Sequence, residues 1–348
     1  MMKKKTIKNE TCYKVCVYCA TYNQSSYISE TMNGFCLQQT DFPFICAIMD
    51  DASNDGETEV IGHYLHDHFE PLLETEETDD YRLMLARHKE NRNCFFAVLL
   101  MKYNHFGIGK SRLPYIRRWQ ESADYLAMCE GDDFWTDSQK LQRQADALDA
   151  APHAYLAYTG FRIEDGNGTA YSVPRIESFT LRSHSGDNLP TLLRYGNYVM
   201  TLTTMYRSKV FNSLGYLKCP HQLDFGFTLA AALMGDFIWM PEVTATYRSL
   251  STGLIKSKHL EVRQKMKEIY HSYALLIVEG KCKKMSFYEK INVRYLILMR
   301  SIKKKDSLLR KTVVRADFLS RLLMPIVYLA WIMGKLKKSC IRNINIKN

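Results

Sequence analysis

An α/β fold on a largely parallel sheet, extended at its C-terminus by a basic helical region, is what this 348-residue sequence predicts. Three observations point there. Short apolar runs (VCVYCA, FICAIMD, NCFFAVLLMKY, YLAMCE) alternate with segments of helical period through the first 150 residues, the pattern of repeated βαβ units. Each run stops at a polar turn, and ligands of open α/β sheets bind beyond the carboxyl ends of the strands. The charge then changes abruptly. Residues 256–348 hold 23 Lys+Arg against 6 Asp+Glu, a net +17, which leaves 24 basic and 31 acidic residues, net −7, for 1–255. With 46% hydrophobic residues the chain can bury one large core with an extension, or two domains, and extensive disorder is excluded.

The first unit is strand, helix, strand. VCVYCA leads to SSYISETMNGFCLQQ, where Ile28, Met32, Phe35 and Cys36 recur at helical spacing, and then to FICAIMD. The turns TYNQ and DASNDG close the two strands, so both face one crevice. A second helical pattern passes through Val60, Ile61, Tyr64 and Leu65. Residues 67–80 hold seven carboxylates with little apolar pattern and read as a solvated excursion. NCFFAVLLMKY enters a helix through NHFGIGKS, YLAMCE ends in GDDFWTD, and SQKLQRQADAL restarts a helix. From 151 to 250 the reading is strand-like YLAYTGFRIED and SFTLRSH around the turn GNG, then MTLTTMYR, a helix DFGFTLAAALMG stopped by Gly235, and a strand FIWMPEV stopped by Pro241. Composition turns basic near residue 255, dividing the chain into 1–255 and 256–348.

Several stretches suggest chemistry. Glu130, Asp132 and Asp133 crowd the end of an apolar run; carboxylates that repel one another there suit a hard divalent cation, or else the start of the following helix, capped by Thr136 or Asp137. Asp50 and Asp51 end the second strand, where a carboxylate can accept hydrogen bonds from a base N–H or a sugar hydroxyl, although DASNDG is also a turn by composition alone. NHFGIGKS misses the phosphate loop GxxxxGK[ST] at Asn104. Read as that loop, it makes the protein an ATP-dependent kinase or NTPase using Lys110 and Glu130. Short of that, Lys110 and Arg112 meet a diphosphate or are surface charges.

Taken in order, VCVYCATYNQSSYISET, FICAIMDDASNDGETEVI and CEGDDFWTDSQKLQRQADAL resemble the inverting nucleotide-sugar glycosyltransferases of family 2 over about residues 12–255. The resemblance implies the GT-A fold: a Rossmann-like nucleotide-binding half with a mixed central sheet at 12–135, and an acceptor-binding half at 136–255. It implies that Thr21, Tyr22 and Asn23 bind the nucleotide, that Asp51 holds the base, that Asp133 is a metal ligand and that Asp132 contacts ribose or metal. Arg248 would serve the diphosphate, and Asp224, otherwise a helix cap, would be the catalytic base. The ion is Mg2+ or Mn2+, bridging the diphosphate of a nucleotide-activated sugar, and the acceptor is a glycan or lipid-linked hydroxyl compound. One departure stands out: members with a CEGDDYW-type motif often end this region Tyr-Arg-x-His, whereas Tyr247 and Arg248 are followed here by Ser249 and Leu250.

Ten cysteines without an apolar leader in MMKKKTIKNETCYK suggest a reducing cytoplasm, and CVYC reads as core residues of a strand. The +17 tail suits an anionic surface, either nucleic acid or a membrane. It lacks an RNA-binding or zinc-finger pattern, so no nucleic acid is expected. LLMPIVYLAWIMG at 322–334 is uncharged and too short to span a bilayer, which suits a helix lying in the headgroup plane at the inner face of the cell membrane, or one packed on the catalytic domain.

Overall fold

The structure, a computed structural model, describes residues 12–170, 174–213, 223–250 and 259–345. Strand β1 (Val15–Thr21), helix α1 (Ile28–Cys36), β2 (Phe44–Asp50) and α2 (Glu57–His68) form the expected opening. Then come β3 (Glu74–Glu77), β4 (Tyr81–Arg87), β5 (Cys94–Met101), α3 (Leu113–Ser122), β6 (Tyr125–Met128), β7 (Phe134–Trp135) and α4 (Lys140–Ala150). The second half holds β8 (Ala154–Glu164), α5 (Pro174–Thr180), α6 (Leu189–Tyr195), β9 (Thr204–Arg207), α7 (Asp224–Met234) and β10 (Asp236–Arg248). Helices α8 (His259–Val278), α9 (Phe287–Lys303), α10 (Ser307–Ala316) and α11 (Phe318–Asn345) complete the described chain.

The strands form one mixed sheet in the order β3-β4-β5-β2-β1-β6-β9-β8-β10-β7. Its centre, β5-β2-β1-β6, is parallel, and the flanking pairs are antiparallel. Every residue of β2 is buried, as a strand covered on both faces requires. That is why the apolar runs here are continuous and do not alternate.

Three local expectations need correction. Residues 67–80 are not all excursion, because Glu74–Glu77 pair antiparallel with β4 as an edge strand; a row of exposed carboxylates protects such an edge against pairing with other chains. SFTLRSH does not begin as a strand, since its first three residues end α5. Pro241 does not stop β10. β7 pairs with Ala245 and Thr246 and not with Pro241, so that ladder does not need the N–H that proline lacks. The expected boundary near 255 lies outside the described residues; of the two compact units, one holds the chain up to His184 with 199–210 and 237–250, and the other joins Ser185–Tyr198 and Phe211–Asp236, from within 1–255, to the C-terminal helices. The reason is apolar surface. Residues Phe225–Leu233 of α7 are buried on every side, and a helix apolar all round must be enclosed. Tyr273 of α8 donates its hydroxyl to the Gly226 carbonyl at 2.7 Å, and Tyr270 donates to Leu193 of α6 at 3.3 Å.

One buried cation interrupts the core of the first unit. Lys140 is fully buried, donates to Gln144 Oε1 at 2.6 Å and lies 4.4 Å from the Trp135 ring centre. Burial pushes its ammonium down to about 7. The folded state therefore binds fewer protons than the unfolded chain between that value and the ordinary lysine range, and stability rises with pH across that window. Urea unfolding at pH 7 and pH 9 should show this group adding about 2 kcal/mol. Lys140→Met should remove that increment.

Candidate active site

The parallel strands place a crevice. From β1 the chain moves outward through β2 to β5, then returns to the other side of β1 as β6. The carboxyl ends of β1 and β6 therefore flank the topological switch point, where the connecting turns part and leave room for a ligand. The turn after β1 begins at Thr21, and the turn after β6 contains Glu130, Gly131, Asp132 and Asp133.

Those two turns are joined through a glycine. The Gly131 N–H donates to the Ala20 carbonyl at 3.1 Å, and a Cβ at Gly131 would be driven into the Thr21 hydroxyl. Thr31 of α1 donates its hydroxyl to the carbonyls of Gly131 (2.9 Å) and Asp133 (2.6 Å). Gly131→Ala should thus displace the carboxylate turn while sparing the core. We expect a loss of activity far larger than the change in thermal midpoint, measured on the same preparation.

Arg248 fastens the turn from β10. It is only 4% exposed. Its backbone N–H donates to Asp133 Oδ1 at 2.9 Å, and its guanidinium donates to the Asp132 carbonyl at 2.9 Å, to Glu164 at 3.1 Å and to Glu30. The guanidinium carbon lies 4.3 Å from the Phe134 ring centre and 5.0 Å from that of Tyr27. Arg248, expected to meet a diphosphate, thus ties β10 to the carboxylate turn. Leu250, at the position of the histidine that the resemblance implies, is buried and comes against Gly166.

The carboxylates themselves are electrostatically unfavourable. Asp133 is 3% exposed; burial, then the charges of Asp132 and Glu130, hold its pKa well above the usual carboxylate range. Burial also raises Asp132, which is half-buried. The Tyr247 phenol is pushed up to about 12 by burial and by the same three carboxylates. Oxygen-only ligands with more negative charge than their surroundings neutralise fit a hard divalent cation. Among the described residues no set of three or more metal-binding side chains is assembled.

The turn TYNQ is locked to DASNDG by a residue that strand and helix periodicity does not reveal. Glu57, fully buried at the start of α2, accepts from the Thr21 hydroxyl, from Gln24 N–H at 2.9 Å and from the Ser53 hydroxyl at 2.8 Å. Asn23 donates its N–H to Ser53 Oγ and accepts from Asn54 N–H, both at 2.9 Å. Asn23 and Ala52 hold positive φ values of 56° and 64°, uncommon for side-chain-bearing residues and a local strain of the kind found at functional sites. Tyr22, 42% exposed, is left projecting at this edge.

Asp51 is completely buried and accepts the N–H groups of His105 (2.8 Å) and Phe106 (2.9 Å). Its carboxylate therefore holds the loop between β5 and α3. The same bonds remove the phosphate-loop reading of NHFGIGKS, whose amides would have to be turned toward a phosphate. Lys110 is likewise occupied, donating to Tyr103 at 2.6 Å and pairing with Asp80 at 3.3 Å. Hydrogen bonds from Tyr103 and Tyr115, with Lys110, hold Asp80 near 2. Since β2 and β1 lie between β5 and β6, this cluster is roughly 14 Å across the sheet from the carboxylate turn.

Asp224 belongs to the second unit. It is the first residue of α7, after the cap position Leu223, and its Oδ1 accepts the Phe225 N–H at 2.7 Å. Asn197 donates to its Oδ2 at 3.0 Å, and burial raises its pKa. A carboxylate moved up in this way is a better proton acceptor than an exposed one.

Comparison with known proteins agrees with the geometry. Uncharacterized proteins of Mycobacterium tuberculosis and Mycobacterium bovis are 27% identical over 250 residues, 70% of this chain and 61% of theirs. The chain thus aligns with about three fifths of the length of these relatives. S. aureus TarS 1–349, solved in complex with UDP, superposes with a TM-score of 0.56 at 16% identity, covering 92% of this chain and 87% of that one. The fold is thus GT-A, and the model of glycosyl transferase family 2 matches residues 16–215, so this chain belongs to that family.

Proposed function

We propose that the protein transfers a sugar from a nucleotide-diphosphate sugar to an acceptor hydroxyl, with inversion, in the synthesis of a cell-surface polysaccharide or related glycan in the cytoplasm. The observation that carries this reading is the carboxylate turn: three acidic residues at the switch point, of which Asp132 and Asp133 have raised pKa values, fixed by Arg248, Thr31 and Gly131. Asp132, half-buried, and Asp133, through the oxygen that Arg248 does not engage, are the residues to hold Mg2+ or Mn2+, with Glu130 on the same turn. When bound, the ion supplies Lewis-acid stabilisation of a diphosphate leaving group.

The chain's own residues divide the remaining work. Tyr22 and Asn23 face the nucleotide, Thr21 fixes the turn that carries them, and Asp51 acts by holding the loop of His105 and Phe106 at the base side. Lys110 stiffens that loop through Asp80, away from the phosphates. Asp224 accepts the proton of the acceptor hydroxyl, so that the oxygen attacks opposite the leaving group. The test is nucleotide release from a panel of UDP- and GDP-sugars, with and without Mn2+, starting with UDP because TarS was solved with it. Release with one donor and a glycan or lipid-linked acceptor supports the proposal. No release with any donor defeats it.

A further inference from the structure

We propose that one side of α11 docks flat into the headgroup region of an anionic lipid bilayer. Phe318, Leu322, Ile326, Leu329 and Met333 recur three or four residues apart, so they share one face of the helix. Each is between 56 and 68% exposed. The opposite face is committed, with Ser320 and Val327 fully buried and the helix packed along α9 and α10. The start of the helix is pinned as well. The largely buried Asp317 carboxylate accepts Arg294 of α9 at 2.7 and 3.0 Å and the Ser320 N–H at 2.7 Å. An apolar face held outward by such anchors, and not by fraying, marks an interaction site.

Charge selects the occupant. The stretch 256–348 carries a net +17. Arg321, which donates to the Val314 and Arg315 carbonyls at the end of α10, borders the stripe. Lys335 sits 4.1 Å from the Trp331 ring centre, and Lys337, Lys338 and Arg342 follow in the same helix. Tyr328 and Trp331, with rings 5.6 Å apart, provide the amphipathic aromatics suited to a lipid interface. A shallow groove of about 660 Å³ between Val314 and Pro325, Tyr328 and Ile332 extends the apolar surface. A second copy would oppose like charge to like, whereas anionic headgroups attract each cation.

Crossing the bilayer does not fit this geometry. The apolar window Phe318–Lys335 is 18 residues, about 27 Å of helix against a hydrocarbon core of about 30 Å. It is also fastened side-on to helices whose exposed Lys303, Lys304 and Lys311 would have to enter hydrocarbon with it.

The experiment is flotation of the full-length protein with vesicles of phosphatidylcholine alone or with phosphatidylglycerol, at low and high salt. Binding is expected only to the anionic vesicles and should fall as salt rises. The triple variant Ile326→Ser, Leu329→Ser, Met333→Ser should bind at least about tenfold more weakly with an unchanged thermal midpoint, because the side chains it truncates face solvent. Lys335→Gln with Lys337→Gln and Lys338→Gln should also weaken binding and flatten the salt dependence. The proposal is overturned by absence of binding to anionic vesicles at low salt, by equal binding to both vesicle types, or by undiminished binding of the triple variant. Retention on membranes through high salt and carbonate would overturn it in favour of a crossing helix, and a solution dimer that the triple variant dissociates, without vesicle binding, in favour of a self-interface.

Discussion

Asp132→Asn is expected to lower turnover by about 10²–10³-fold, the scale seen when one preorganised electrostatic contact to a developing charge is removed. A neutral amide is a poor ligand for a hard cation, and Asp132 is the half-buried carboxylate of the pair. A readout independent of turnover separates this role from a structural one. The folded carboxylates have raised pKa values, so the folded state binds more protons than the unfolded chain just above the ordinary carboxylate range. Stability without a cation should therefore fall as pH rises through that window. Mn2+ should restore it by binding only the folded form, raising the thermal midpoint more at pH 7.5 than at pH 5.5. Asp132→Asn should stabilise the cation-free protein and abolish most of the Mn2+ shift. An undiminished shift in the variant would remove Asp132 from the cation site. Asp133→Asn is predicted to act on the same shift, with an added stability cost if the amide cannot accept the Arg248 N–H as well as the carboxylate does.

Asp224→Asn is expected to lower kcat by about 10²–10⁴-fold, the usual contribution of a positioned general base. Donor nucleotide affinity, followed by calorimetry, should be retained, because the base serves the acceptor. Since burial raises the Asp224 pKa and the base must be ionised, the acid limb of kcat against pH should lie above the ordinary aspartate range. The limb should vanish in the variant. A loss of nucleotide affinity with kcat preserved would assign Asp224 to binding. Turnover at the wild-type rate with a lowered thermal midpoint would assign it to the helix start.

How much of this was legible in the residues differs by element. The opening strands could be read because β1, β2, β5 and β6 are buried on both faces and appear as uninterrupted apolar runs. β3 could not, because three of its four residues ETEE are exposed and only the pairing with β4 makes them a strand. The order of VCVYCATYNQ, FICAIMDD and CEGDD identified the turns that carry the site, since a turn must follow its strand wherever that strand lies in the sheet.

Which partners each side chain meets in those turns was decided by tertiary structure. Asp51, Lys110 and Arg248 carry charges that suit a nucleotide, and local sequence offers no reason to look elsewhere. Folding brings Asp51 to the amides of His105 and Phe106, 54 and 55 residues away. It also brings Arg248 to the Asp133 carboxylate, 115 residues away. A buried charge is tolerated only with partners, and the partners at long sequence separation decide its role. Glu57 is the converse case, a helix-start glutamate by pattern that becomes the link between two turns once β1 and β2 are paired. The sequence by itself determined the order of the elements, the carboxylate turn and the charge of the tail, because these rest on period and composition. The sheet order, the joining of Ser185–Tyr198 and Phe211–Asp236 to the C-terminal unit, and the outward face of α11 were decided by which apolar surfaces meet, a property of contacts far apart in the chain.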